Sequence, residues 1–390
     1  MAALGAGIAG SMVAPQKLLA VSETASHTTK DTLAAPCGRS KVVASDAATV
    51  VETSAGKIRG YERNGIYIFK GVPYGASTSG SRRFMPPEKP EPWSGIRNAL
   101  EYGRICPQHE TGWWTVTGNF SMDGKNLASD DEYKFLLHRG SAICIPGEDC
   151  LRVNLWTPEI NGSGKRPVMV FIHGGGFADG CSQDLLSYDG ENLARNHDVV
   201  VVNHNHRLNV YGYVNLAGIG GDEFASSANI GMLDIVAVLE WVRTHVSQFG
   251  GDPNNVTIFG QSGGGCKVAA LMAMPAAKGL FHRAIIESGP TVKAVSPEFS
   301  QRVARALLDE LGLSESQVRE LQNLPVERLS GAAMKAMSKV NANPPSLRYG
   351  TGWEIRLGWG PTVDGRTLPT HPFDPGAPAV SANVPLITGT

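Results

Sequence analysis

Five short runs that are apolar without steady alternation, residues 153–156, 168–172, 199–202, 256–259 and 284–286, constrain this chain more than any other feature. A strand with one face in water alternates polar and apolar side chains, whereas a strand covered on both faces does not. Helical patterns lie between several of these runs. Residues 229–249 carry Ile230, Leu233, Val236, Ala237, Leu239, Trp241 and Val242 at helical spacing, and residues 263–274 form a second helix that Pro275 ends. Buried strands alternating with helices predict an α/β fold with a mainly parallel central sheet and flanking helices. Ahead of it, residues 49–53 and 66–71 are β-branched or aromatic and predict a small antiparallel N-terminal sheet. Residues 296–340, with Val303, Leu307, Leu308, Leu311, Leu321, Leu324 and Leu329, predict helices outside the sheet, placed to cap a pocket.

Charge removes one class of partner. The 390 residues hold 35 Lys plus Arg against 36 Asp plus Glu, a formal net charge of -1. Nucleic acid is not an expected partner, because backbone binding needs a clustered basic excess. Residues 1–22 are small and apolar with Lys17 the only charge, and Pro15 interrupts them too early for a membrane span. Stable membrane insertion is therefore not expected. The stretch resembles a secretory leader without its basic start, which implies a secreted or periplasmic protein, or a cytoplasmic one if the stretch is no leader. Residues 22–47 are rich in Ser, Thr and Ala and read as a linker, so that residues 1–47 form leader and linker and residues 48–390 the folded domain. Gly5, Gly7 and Gly10 fit a dinucleotide-binding spacing but lack the preceding strand it needs. Six cysteines without paired C-x-x-C spacing argue against structural zinc, and no cofactor is expected.

The chemistry concentrates in Asn255-Val-Thr-Ile-Phe-Gly-Gln-Ser-Gly-Gly-Gly265, a strand that runs through G-x-S-x-G into a helix. That context predicts a nucleophile elbow, in which Gly260 and Gly264 let the helix pack against its strand and Ser262 projects from the sheet edge. A serine at a helix N-terminus faces free N–H groups and partial positive charge, both favourable to a developing oxyanion. His173-Gly-Gly-Gly-Phe177 follows the run at 168–172, and its exposed backbone predicts an oxyanion hole built from the N–H groups of Gly175, Gly176 and Gly263.

With those residues in view, Phe249-Gly-Gly-Asp-Pro-Asn-Asn-Val-Thr-Ile-Phe-Gly-Gln-Ser-Gly-Gly264 resembles the serine signature of the type-B carboxylesterases, cholinesterase-like α/β-hydrolases. Glu148-Asp-Cys-Leu-Arg-Val-Asn-Leu-Trp-Thr-Pro158 resembles a second signature, departing only at Arg152. Further similar stretches are Phe69-Lys-Gly-Val-Pro-Tyr74 and Asn229-Ile-Gly-Met-Leu-Asp234, and the resemblance extends over residues 48–390. It implies an α/β-hydrolase fold, a small-molecule ester substrate, an acyl-forming Ser262, a disulfide between Cys106 and Cys150, a structural ion pair of Arg83 with Glu148, and a second hydroxyl near the site at Ser288. Gln261, where many members have Glu, and Asn205-His206-Arg207, where Asn-Tyr-Arg is commoner, mean that the resemblance carries no substrate preference, and the sequence leaves oligomeric state open.

An elbow serine is activated by a histidine oriented by an acid, and both follow it in the chain. The stretch Val384-Pro-Leu-Ile-Thr-Gly-Thr390 resembles the family's strand before the acid, so the expectation is an N-terminal fragment whose acid and histidine lie beyond Thr390. His282 and His371, the two histidines after the serine, are expected to be structural, as are Asp234 and Glu287. His173, His204 and His206 raise a metal site, but no carboxylate or cysteine completes a recognisable zinc spacing. The leading expectation is a carboxylic-ester hydrolase, with low turnover for these 390 residues alone. The alternatives are a non-catalytic binding or adhesion protein of the same fold and, third, a nicotinamide enzyme.

Overall fold

The structure, a computed structural model, describes residues 41–108, 144–289, 291–342 and 358–390. The leader, most of the linker, Cys37 and the glycines near the start lie outside these residues. Twelve strands are found among the described residues: β1 Val42–Val43, β2 Val50–Thr53, β3 Gly56–Arg59, β4 Tyr61–Arg63, β5 Ile66–Pro73, β6 Ile96–Asn98, β7 Arg152–Thr157, β8 Arg166–Ile172, β9 Val200–His204, β10 Gly251–Gln261, β11 Arg283–Glu287 and β12 Leu386–Gly389. Six α-helices accompany them: α1 Glu191–His197, α2 Asn209–Tyr213, α3 Ile230–His245, α4 Gly263–Ala273, α5 Pro297–Leu311 and α6 Val326–Asn341.

Nine strands form the central sheet, in the order β1-β4-β5-β7-β9-β8-β10-β11-β12. From β9 through β12 the neighbours are parallel; from β1 through β9 by way of β7 they are antiparallel. The sheet is thus mixed, with the parallel half carrying the elbow. All five residues of β9 are buried, as the unalternating run requires. The helix read across 229–249 is α3 followed by a 3-10 turn, Val246–Phe249. The helical stretch Asp222–Phe249 that contains it is long and apolar enough to suggest a membrane span by length and composition alone, but most of its apolar window is buried in the protein. Phe249 at its end meets Phe69 of β5 edge to face, ring centroids 5.1 Å apart.

Two expectations change. The run at 66–71 joins the central sheet as β5, pairing antiparallel with β7, while the small sheet is built from β2, β3 and β6. Alternation in a single strand cannot choose between two sheets of similar residue type; the choice lies with the partner's register. The linker expectation also ends too late, because the β-branched Val42 and Val43 pair with β4 as an edge strand.

The residues read as capping helices fold as α5, a 3-10 segment Glu315–Gln322, and α6. Ser296 caps α5 by accepting a hydrogen bond from Phe299 N (3.2 Å), Pro297 opens the first turn, and Gly312 ends it with φ +68°. Arg83 fastens this layer to the body. Its guanidinium donates two hydrogen bonds to the Glu148 carboxylate (2.7 and 2.6 Å) and two to the carbonyls of Leu321 and Leu324 (both 2.8 Å).

Candidate active site

Strand β10 lies between β8 and β11, with Gly260 opposite Ile172 and Gln261 opposite Glu287. Register alone therefore brings three strand ends together: Ser262 after β10, the glycine loop after β8, and Ser288 after β11. Ser262 is exposed and sits at φ 56°, ψ -122°, a conformation that L residues rarely adopt. Its N–H donates to Glu287 O (2.8 Å), and its own carbonyl accepts from Cys266 N (3.0 Å) to begin α4. The strain is held by close backbone packing. A methyl on Gly260 would lie 2.6 Å from Ile172 O, one on Gly264 would overlap that same oxygen, and one on Gly265 would come 3.0 Å from Gly289 Cα. Glycine at these positions is a packing requirement.

The glycine loop meets this elbow directly. Gly175 and Gly176 have φ +84° and +59°, and Ala178 N and Asp179 N fold back onto Gly175 O (3.3 and 3.1 Å). A methyl on Gly263 would overlap Gly176 N and come within 2.5 Å of Gly176 Cα. Gly263 is also the first residue of α4, whose leading N–H groups have no intrahelical partner. The far leg of the loop is gripped by Gln108, which accepts from Gly180 N (2.8 Å) and donates to Gly180 O (3.1 Å). No motif marks Gln108 in the sequence.

Lys267, on the buried side of α4, is a second residue that sequence reasoning passed over. Its ammonium donates to His173 O (3.0 Å), at the root of the glycine loop, and burial pushes its pKa down to about 7. Beside it His173 stacks on His206 (4.6 Å between ring centroids), and His204 lies 5.2 Å from His206. Burial, reinforced by Lys267, holds His204 down at about 3 and His206 well below the usual imidazole value, so both are neutral at neutral pH. These three rings are not among the convergent ligand sets; among the described residues the convergent set is Cys144, Cys181 and Asp184.

The other singled-out residues are anchored elsewhere. His282 Nδ1 accepts from Val256 N (3.2 Å), several residues from Ser262 along β10, and His371 Nδ1 accepts from Ala294 N (3.2 Å). Asp234 is fully buried and takes three hydrogen bonds from Arg207, through its backbone N–H, Nε and Nη2 (3.0, 2.8 and 2.6 Å). Glu287 is exposed at the end of β11. Cys106 and Cys150, the pair that the resemblance joins by a bridge, are buried in contact with each other as thiols. Contact with Cys106 and burial push the Cys150 thiol well above its ordinary range. Among the described residues no imidazole is hydrogen-bonded to the Ser262 hydroxyl.

Near the glycine loop, Tyr213, Phe299, Val303, Met337, Trp359 and Gly360 line a narrow open-sided depression. Phe177 of the loop packs edge to face on Tyr213 (5.3 Å), and a methyl on Gly360 would lie 3.4 Å from its ring.

The sequence profile described as "Carboxylesterase family" matches residues 47–390. Para-nitrobenzyl esterase of Bacillus subtilis (strain 168) is 38% identical over 343 residues, which cover 87% of this chain and 62% of that protein. Phenmedipham hydrolase of Pseudarthrobacter oxydans is 33% identical over 342 residues, 87% of this chain and 60% of the other. Among solved structures, the Geobacillus stearothermophilus carboxylesterase EST55 superposes with a TM-score of 0.70 at 33% identity, covering 87% of this chain and 62% of that one. An esterase from Clostridium hathewayi described as hydrolysing aliphatic aromatic polyesters gives a TM-score of 0.72 at 36% identity, covering 90% and 63%. The chain thus spans about six tenths of the length of the relatives it matches.

Proposed function

Because the chain belongs to the carboxylesterase family, we propose that it is built to hydrolyse small-molecule carboxylic esters through an acyl-enzyme on Ser262. The observation that carries this reading is the contact of Gly263 with Gly176 beside an exposed serine at the start of a helix. In the reading, Ser262 Oγ attacks the ester carbonyl while the N–H groups of Gly175, Gly176 and Gly263 receive the oxygen as it becomes negative. Such preset donors need no rearrangement during the reaction, and one of them is typically worth about 3 kcal/mol. The alcohol leaves and water then releases the acid.

Proton transfer from Ser262 calls for an imidazole, and His282 and His371 are engaged with backbone N–H groups away from it.

Treatment with a fluorophosphonate, followed by peptide mapping, tests this. A single adduct on Ser262, and loss of p-nitrophenyl butyrate hydrolysis in Ser262→Ala, are expected. An adduct on another residue, or hydrolysis that survives Ser262→Ala, would reject the assignment.

A further inference from the structure

Cys144 and Cys181 place their sulfurs 3.2 Å apart across 37 residues of chain. Both are thiols, and a carboxylate oxygen of Asp184 lies within 4.8 Å of each sulfur. Two chemistries suit such a set. Thiolates on a tetrahedral zinc, at about 2.3 Å from the metal, stand about 3.8 Å apart, whereas a disulfide needs about 2.05 Å. At 3.2 Å the sulfurs are closer than a shared zinc would hold them. We propose that Cys144 and Cys181 are a thiol–disulfide pair, oxidised by low-molecular-weight disulfides, that locks the far leg of the glycine loop to the chain segment leading into β7.

Main-chain bonds already hold both partners. The Cys144 side is fixed where Ile105 N donates to Ile145 O (3.0 Å) and Gly147 N donates to Ile105 O (2.9 Å). On the other side Cys181 directly follows Gly180, which Gln108 grips through both its N–H and its carbonyl. Residues 105–108 are thus the common support of the two cysteines, and joining them requires little backbone movement.

Access decides the order of events. Cys144 is half-buried, whereas Cys181 is buried. The Cys144 thiolate attacks a small disulfide RSSR, forming a mixed disulfide and expelling RS⁻. Cys181 then gives up its proton and attacks the Cys144 sulfur, expelling the second RS⁻. One RSSR is reduced to two RSH as two protein thiols become one disulfide, and both protons pass to the expelled thiolates. Contact with Cys144 and burial raise the Cys181 thiol far above its ordinary range, in keeping with its entering second. The Cys106–Cys150 pair, buried on both sides, has no such point of entry.

The test is a ladder of reduced and oxidised glutathione applied to the 390-residue chain, with alkylation and peptide mapping without reductant. The expected result is a peptide pair joined through Cys144 and Cys181, together with a melting midpoint several degrees higher than in the reduced chain. The rise should disappear in Cys144→Ser and in Cys181→Ala. Both cysteines remaining alkylatable at the most oxidising ratio would overturn the proposal. So would a cross-link to a different cysteine, or protection of both thiols by added zinc with no cross-link formed.

Discussion

The elbow and the helical cap are held together by opposite means. Around Ser262 backbone rests on backbone: Gly260 and Gly264 press α4 against the end of β8, and Gly263 presses against Gly176. In the cap, side chains do the packing: Val303, Leu307 and Leu308 of α5 and Leu329, Ala333, Ala336 and Val340 of α6 are buried at helical spacing. A single methyl should be intolerable in the first region and cheap, or even favourable, on the open faces of the second. The lesson is that where backbone packs on backbone, the fit depends on what the residues lack.

The largest effect is expected from Gly264→Ala, whose methyl would overlap Ile172 O. We expect a loss above about 3 kcal/mol, seen as little soluble folded chain, because neither backbone can give way. A soluble variant with unchanged melting would break the contrast at its root. At the seam, Arg83→Ala leaves Glu148 buried without its partner and frees the carbonyls of Leu321 and Leu324. Urea unfolding should register about 3–5 kcal/mol. Leu307→Ala inside the cap should cost about 2–5 kcal/mol by the same measurement, as expected of an emptied core position.

A smaller, pH-dependent effect belongs to Lys267. Folded, it loses its proton near pH 7 because burial disfavours the ammonium; unfolded, it keeps the proton to about pH 10.4. Between those values the unfolded chain binds more protons, so this residue makes stability rise with pH, by at most about 1.4 kcal/mol per pH unit. Melting followed from pH 7 to pH 9 should climb less in Lys267→Met than in the parent, and equal slopes would show that the buried amine is not the source. The smallest effect has the opposite sign. Gly331→Ala in α6 meets open space, so it should stabilise by about 0.5–1 kcal/mol through helix propensity. A lower melting temperature there would erase the distinction between the two regions.

The redox pair cuts across this comparison, since it would add a covalent tie to the region otherwise fixed by contacts among peptide groups. Oxidation that raised the melting midpoint while leaving Ser262 labelling unchanged would place the tie outside the working part of the loop.

Much of the site was legible because its signals are local. G-x-S-x-G between an apolar run and a helical pattern needs no partner to be read, and three consecutive glycines after a buried strand mark exposed backbone wherever they occur. Gln108 and Lys267 escaped notice because their roles arise across the fold: Gln108 grips Gly180, 72 residues away, and Lys267 reaches His173 O, 94 residues away. Cys144 and Cys181 escaped for the same reason, as no spacing rule pairs them. The assignment of residues 66–71 to the small sheet failed because strand character does not name a strand's neighbour.

The sequence by itself determined which residues turn sharply, which segments bury both faces and where a serine stands between strand and helix, since these follow from each residue's own torsions, shape and polarity. Only the tertiary structure decided which strand ends meet, which glycines pack beside Ser262 and which thiols touch. Those depend on the register of β10 between β8 and β11, a relation between distant segments that no local pattern encodes.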